Sequence, residues 1–151
     1  MTNSFASAAV AVRADAQENT VLGFRRVRVR SAETGGRLGF FEEIVPAGAG
    51  VGRHIHHNED EMFNVREGRF RIWCGEETFE VGPGDVAVLP RGIPHAFRNI
   101  GEGEGWLDVT VTPGGFESLF LRAAEGDDPV ERFMALAPAH GIEMLPDVAA
   151  A

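Results

Sequence analysis

Between Val21 and Val111 the chain alternates short mixed runs with clusters of turn-forming residues. Turn signals recur at Thr34-Gly35-Gly36, Pro46-Ala47-Gly48, Arg66-Glu67-Gly68, Gly75-Glu76, Gly82-Pro83-Gly84-Asp85 and from Gly101 to Gly105. Between them lie Arg37–Val45, Glu61–Val65, Arg69–Cys74, Thr78–Val81, Val86–Leu89, His95–Asn99 and Trp106–Thr112, each short and rich in Val, Ile, Phe or Thr. Many short strands with regular punctuation predict an all-β sandwich or barrel. Alternation then assigns faces. On Arg69–Cys74 the apolar set Phe70, Ile72 and Cys74 is expected inside, against Arg69, Arg71 and Trp73. On Arg37–Val45 the sets Phe40, Glu42, Ile44 and Phe41, Glu43, Val45 compete evenly. The run Arg25, Arg26, Arg28, Arg30 reads as an outer face, with Val27 and Val29 toward the core.

After Pro113 the period changes. Phe116, Leu119, Phe120 and Ala123 fall at i, i+3, i+4 and i+7, closed by Gly126. A second stripe of Val130, Phe133, Met134 and Ala137 follows Asp128 as a cap and Pro129 at the first position, with Gly141 to stop it. Two short helices are expected near 114–125 and 129–139, followed by an extended Ile142–Leu145. The organisation predicted is a flexible N-terminal arm over 1–20, a single barrel over 21–112, and a helical extension over 113–151 packed on the barrel. No internal repeat suggests a second barrel.

At 151 residues, the chain has room for a core without disulfide staples. The formal net charge of −9 argues against nucleic acid or an anionic membrane surface as partner. No apolar stretch approaches the roughly 18 residues that span a bilayer. Ser4–Val12 has no basic residue before it, so a signal peptide is not expected. The single cysteine, Cys74, fits a reducing compartment, and a cytoplasmic location is expected.

The candidate chemistry sits in two Gly-punctuated segments. His54 and His56 are two apart and share a strand face, while Glu61 and His95 must come from other strands to close around one ion. Three imidazoles and a carboxylate suit one divalent transition metal, Fe, Mn, Ni, Cu or Zn, without choosing among them. Four protein ligands leave coordination positions open for a substrate oxygen, O2 or water. His57 and His140 read as packed or solvated residues. Phe63 and Val65 share parity with Glu61, and Phe97 shares it with His95. With Ile72 they are expected to form an apolar, aromatic substrate pocket. The absence of Tyr removes one common catalytic phenol.

The two segments read Gly48-x5-His54-x-His56-x4-Glu61-x6-Gly68 and Gly84-x5-Pro90-x-Gly92-x2-His95-x3-Asn99. Together they resemble the paired motifs of the cupin superfamily at every defining position. The ending, Pro113-Gly-Gly-Phe116-Glu and later His140-Gly-Ile-Glu-Met-Leu, is similar to that of small bacterial cupins grouped as quercetinase-like. The resemblance implies a double-stranded β-helix, or jelly roll, with two short C-terminal helices. It also implies a homodimer, with the residues before Val21 as the segment to be exchanged. By the same resemblance the chain is a metal-dependent dioxygenase of a small aromatic or enol-type substrate. Glu61 would then accept the substrate hydroxyl proton as well as touch the metal. The competing implications are a non-oxidative metal-dependent cyclase, isomerase or lyase, and a small-molecule-binding cupin without turnover.

Overall fold

The computed structural model describes residues 7–12 and 16–146. Its eleven strands are β1 (Gln17–Asn19), β2 (Phe24–Val29), β3 (Gly39–Val45), β4 (Gly50–His56), β5 (Asp60–Glu67), β6 (Phe70–Cys74), β7 (Glu77–Val81), β8 (Val86–Leu89), β9 (His95–Asn99), β10 (Gly105–Thr112) and β11 (Ile142–Met144). Two helices, α1 (Phe116–Ala123) and α2 (Pro129–Leu136), lie between β10 and β11. One antiparallel sheet runs β1-β2-β3-β10-β5-β8 and the other β11-β4-β9-β6-β7. The two sheets face each other as a double-stranded β-helix.

Alternation decides what fills the space between the sheets. Phe63 and Val65 from β5, Phe70 and Ile72 from β6, Phe97 from β9, and Leu107, Val109 and Val111 from β10 are all buried there. On β3 the inward set is Phe41, Glu43 and Val45. Gly68 turns the chain between β5 and β6 at φ +88, where a Cβ would stand 2.8 Å from the Gly105 Cα. A side chain there would be both strained and blocked.

Two expectations about the N-terminal third change. Gln17–Asn19, inside the predicted arm, is an edge strand paired with β2 of its own chain, and the Asn19 amide donates to the Phe120 carbonyl at 2.8 Å. Three residues are too few to show a period, which is why the strand was invisible in the sequence. Residues 1–6 and 13–15 of that arm lie outside the described residues. The arginine run is also split. Arg26 and Arg28 turn outward and pair with Glu42 at 3.7 and 2.8 Å, whereas Arg25 shares the parity of Val27 and points inward, 1% exposed.

The helices close one flank of the barrel. Phe116 and Phe120 stand edge-on to Phe41 at 5.9 and 5.8 Å, and Phe120 stacks on Phe133 at 5.4 Å. The Asp128 side chain accepts from the Glu131 amide at 3.0 Å, the predicted cap. The buried Glu117 carboxylate holds the entry to α1, accepting from the Gly115 amide at 2.7 Å and the Ser31 amide at 3.3 Å. No helix among the described residues is long and apolar enough to cross a membrane.

Candidate metal centre

His54, His56, Glu61 and His95 converge, all buried, with one ligand atom from each lying within 4.8 Å of the others. Four secondary-structure relations produce this. His54 and His56 share a face of β4, and a register shift between Val51 and His54 brings His54 opposite His95 on β9. Glu61 enters from β5, opposite Val111 on β10 and Leu89 on β8. β11 pairs along the other side of β4, with Met144 opposite His54 and Ile142 opposite His56.

Each imidazole is oriented by an oxygen at Nδ1. The acceptors are the Gly52 carbonyl for His54 at 2.8 Å, the Ile93 carbonyl for His95 at 3.3 Å, and the Glu59 carboxylate for His56 at 2.6 Å. With Nδ1–H donating outward, the lone pair of every neutral ring resides on Nε2 and faces the centre. There the His95 and His56 Nε2 atoms stand 3.0 and 3.5 Å from Glu61 Oε2. The His56 Nε2 is buried and has no hydrogen-bond partner. A buried polar atom without a partner is costly, and a divalent ion would satisfy it. Three nitrogens and one carboxylate oxygen are a donor set that first-row divalent ions accept. The residues present therefore fit a metal.

Charge is arranged for the same purpose. Burial pushes the His54 imidazole down to about 4, with His95 and His56 adding to it against Glu61, so His54 is neutral at physiological pH. Burial opposes ionisation of Glu61, but the neighbouring imidazoles of His56, His95 and His54 outweigh it and hold the carboxyl at about 2. His56 goes the other way. Burial lowers it, yet Glu61 and Glu59 together raise it above the ordinary histidine value. His54 and Glu61 are thus ready in the required protonation state, whereas His56 holds a proton more tightly than a free imidazole does.

A small cavity of ≈ 50 Å³ adjoins the cluster, lined by His54 and Glu61 on one side and by aromatic residues including Phe97, Phe116 and Phe120. Of the four residues expected to form the pocket, only Phe97 lines it. Phe63, Val65 and Ile72 are packed in the core away from the cavity. Parity had shown that they point inward, but not how far along the barrel they lie. A wider cleft of ≈ 690 Å³ runs between β7 and β8 and includes none of the four ligands in its lining.

Three residues at or behind the site were not singled out as candidates from the sequence. Glu59, 2% exposed, orients His56; its signal was a third acidic residue directly before Asp60 and Glu61, at the entry to β5. Arg25 and Glu43 line the cavity as a buried ion pair with Nη2 3.3 Å from Oε1. Burial pushes the Glu43 carboxyl up and the Arg25 guanidinium down, and each pulls the other back.

Residues 41–115 match the family model described as "Cupin domain". An uncharacterised protein of Methanocaldococcus jannaschii, MJ1618, is 38% identical over 60 residues, 40% of this chain and 48% of that protein. Quercetin 2,3-dioxygenase of Bacillus subtilis is 26% identical over 95 residues, 63% of this chain and 28% of the enzyme. In both cases the matched region spans less than half of the relative's length. Among solved structures, KdgF from Halomonas sp. superposes with a TM-score of 0.65 at 18% identity, over 74% of this chain and 99% of that one. That degree of likeness concerns the fold alone.

Proposed function

The chain belongs to the cupin family, and from that premise we propose that it is a metal-dependent enzyme, an oxygenase of a small aromatic or enol-type molecule. The observation that carries this reading is the His54, His56, Glu61, His95 cluster, its imidazoles oriented from behind and His54 and Glu61 already in ligand-ready protonation states, beside a cavity walled largely by apolar side chains. The distant quercetin dioxygenase relative supports the same reaction class. When bound, a divalent ion supplies Lewis acidity and, where redox-active, electron transfer to O2. The chain's own residues do the rest. Glu61 Oε2 is placed to take the proton of an enol or phenol hydroxyl entering the cavity. Phe97, Phe116 and Phe120 exclude water from that proton transfer and offer flat faces to a conjugated substrate. A non-oxidative cyclase, isomerase or lyase is the second reading, favoured by a donor set that takes Zn as readily as Fe or Mn.

Elemental analysis of natively purified protein, followed by O2 uptake on small enols and phenols, separates the two. Fe, Mn, Ni or Cu with substrate-dependent O2 uptake supports the oxygenase; Zn with turnover but no O2 uptake refutes it. Glu61→Gln then tests the base. Activity that collapses while the metal stays bound supports the proton-accepting role, and full activity in that variant rejects it.

The assembly belongs to the same proposal. Edge strand β8 exposes Val86 (55%) and Val88 (62%), next to Met62 on β5. A second copy covering this unpaired edge makes a homodimer. Light scattering at micromolar concentration that shows a monomer would refute it.

A further inference from the structure

The metal reading leaves the Arg25–Glu43 pair without a task. Arg25 comes from β2 and Glu43 from β3, opposite each other in register, and both face the cavity that holds His54 and Glu61. A buried ion pair seldom stabilises a fold better than apolar residues of the same volume. The contacts of Arg25 explain only part of its presence. Nη1 donates to the Val21 carbonyl, and Nη2 donates to the Leu22 carbonyl at 3.4 Å and to Glu43 Oε1 at 3.3 Å. The guanidinium face lies 3.7 Å from the Phe120 ring centroid. Those contacts anchor the turn before β2 and use both terminal nitrogens. Nε is buried and has no acceptor. It is a charged donor without a partner, in a residue that lines the cavity.

We propose that Arg25 is the specificity-determining residue of the cavity, and that its Nε receives an uncharged oxygen at the far end of a ligand whose other end faces the metal ligands. The inference rests on the metal-centre reading above and narrows its substrate class. Size sets the first limit. A cavity of ≈ 50 Å³ is far below the roughly 300–1,000 Å³ of sites for drug-sized ligands, so it takes compounds of a few heavy atoms. A flavonol does not enter unless α1 and α2 part from the barrel. Charge sets the second limit. Within the cavity lining a divalent ion and Arg25 would set three positive charges against the carboxylates of Glu43 and Glu61, leaving room for one negative charge, while Glu59 stands behind His56 and outside that lining. That charge belongs on the oxygen at the metal, and Glu43 beside Arg25 disfavours a second one there. The class that satisfies both limits is a small enol or hydroxy-carbonyl compound, singly negative, with a neutral hydroxyl or carbonyl oxygen at its other end.

Three probes test this in calorimetry on metal-loaded protein. Propionohydroxamate and glycolohydroxamate share one chelating, singly negative end and have the same number of heavy atoms, but a methyl in the first is a hydroxyl in the second. Malonic acid monohydroxamate places a carboxylate there instead. Glycolohydroxamate should bind about tenfold or more tightly than propionohydroxamate, as expected for a hydrogen bond to a charged group. Arg25→Met should bring that ratio close to one with metal content unchanged. The malonic probe should bind native protein more weakly than glycolohydroxamate and gain on it in Glu43→Gln. Equal affinities of the methyl and hydroxyl probes in native protein, or a preference that survives Arg25→Met, would overturn the inference. So would tightest binding of the carboxylate probe to native protein. If Arg25→Met does not fold, Glu43→Gln decides: no gain of the malonic probe there counts against the charge argument and the proposal with it. Failure of the metal reading is distinguishable, because protein that takes up no metal discriminates among none of these chelators.

Discussion

Replacing Glu59 by Gln isolates the support behind one metal ligand. The Glu59 carboxylate stands 2.6 Å from His56 Nδ1, and both side chains are buried. Among the described residues Glu59 is the one acceptor at that Nδ1. The amide keeps size and one acceptor oxygen but loses the charge that makes His56 a stronger donor to a cation. Removing such a partner costs about 10- to 100-fold in metal affinity, or roughly 1.4–2.8 kcal/mol at 1.4 kcal/mol per decade. Linkage carries the loss into stability, since metal bound to the native state alone stabilises by RT ln(1 + [M]/Kd). For a chain of this length 1 kcal/mol is worth about 2–4 °C. The gap in Tm between metal-loaded and metal-free protein should therefore shrink by roughly 3–11 °C. Competition against a chelator of known affinity, with Zn²⁺ or Co²⁺, measures the first quantity, and paired thermal scans measure the second. Glu143→Gln is the control, because Glu143 pairs at 2.8 Å with His57, an exposed histidine outside the cluster. It should change neither. Wild-type metal affinity in Glu59→Gln would refute the orienting role, and an equal drop in Glu143→Gln would refute its specificity.

Metal affinity should rise with pH. His56 is raised above its ordinary value in the metal-free protein, so a proton competes with the ion below that raised pKa and no longer does above it. Log Kd should improve by about one unit per pH unit below the break and level off above it. In Glu59→Gln, which loses one of the charges that raise His56, the break should move to lower pH; chelator titrations across pH check both. The same shift means that His56 helps hold the metal-free fold below the ordinary histidine pKa, and that this help is lost as pH rises through the raised value. Leu119→Ala, in the buried face of α1 at 0% exposure, should lower stability by about 2–5 kcal/mol in urea denaturation and leave the ligands in place. Gly39→Ala should destabilise as well, because a Cβ there stands 2.0 Å from Glu117 Oε1 and drives that buried carboxylate off the Gly115 and Ser31 amides. The cost is about 1–3 kcal/mol by urea midpoint, whereas Gly103→Ala, with nothing within 4 Å of the new Cβ, should change little.

Most of the barrel was legible because antiparallel strands alternate and their turns demand particular residues. The runs over β5 to β10 and the cap at Asp128 follow from those two facts. The ligand set was legible because His54 and His56 are two apart and because Glu61 and His95 repeat a spacing shared with a known superfamily. What stayed hidden had physical reasons. Phe40, Glu42, Ile44 and Phe41, Glu43, Val45 carry equal numbers of Phe, Glu and aliphatic residues, so hydropathy could not choose the face of β3. Arg25 looked like surface because three neighbouring arginines are surface, although its parity with Val27 placed it inside. The burial of Glu43 makes sense only beside Arg25, and that pairing of β2 with β3 is a tertiary fact. For Phe63, Val65 and Ile72 the inward direction was legible, whereas depth along the barrel depends on register between strands far apart in sequence.

The pairing of β11 with β4 gives the metal centre a place in time as well as in space. Met144 lies opposite His54 and Ile142 opposite His56, so one edge of the histidine-bearing strand stays open until residues almost ninety positions later have been made. During synthesis the barrel strands and both helices can emerge while that edge still offers its backbone to any passing strand. Closure then requires a long-range contact, the kind that forms slowly. The strand that carries two of the four ligands therefore gains its second neighbour only when Ile142–Met144 docks, the last strand pairing of the described chain to become possible.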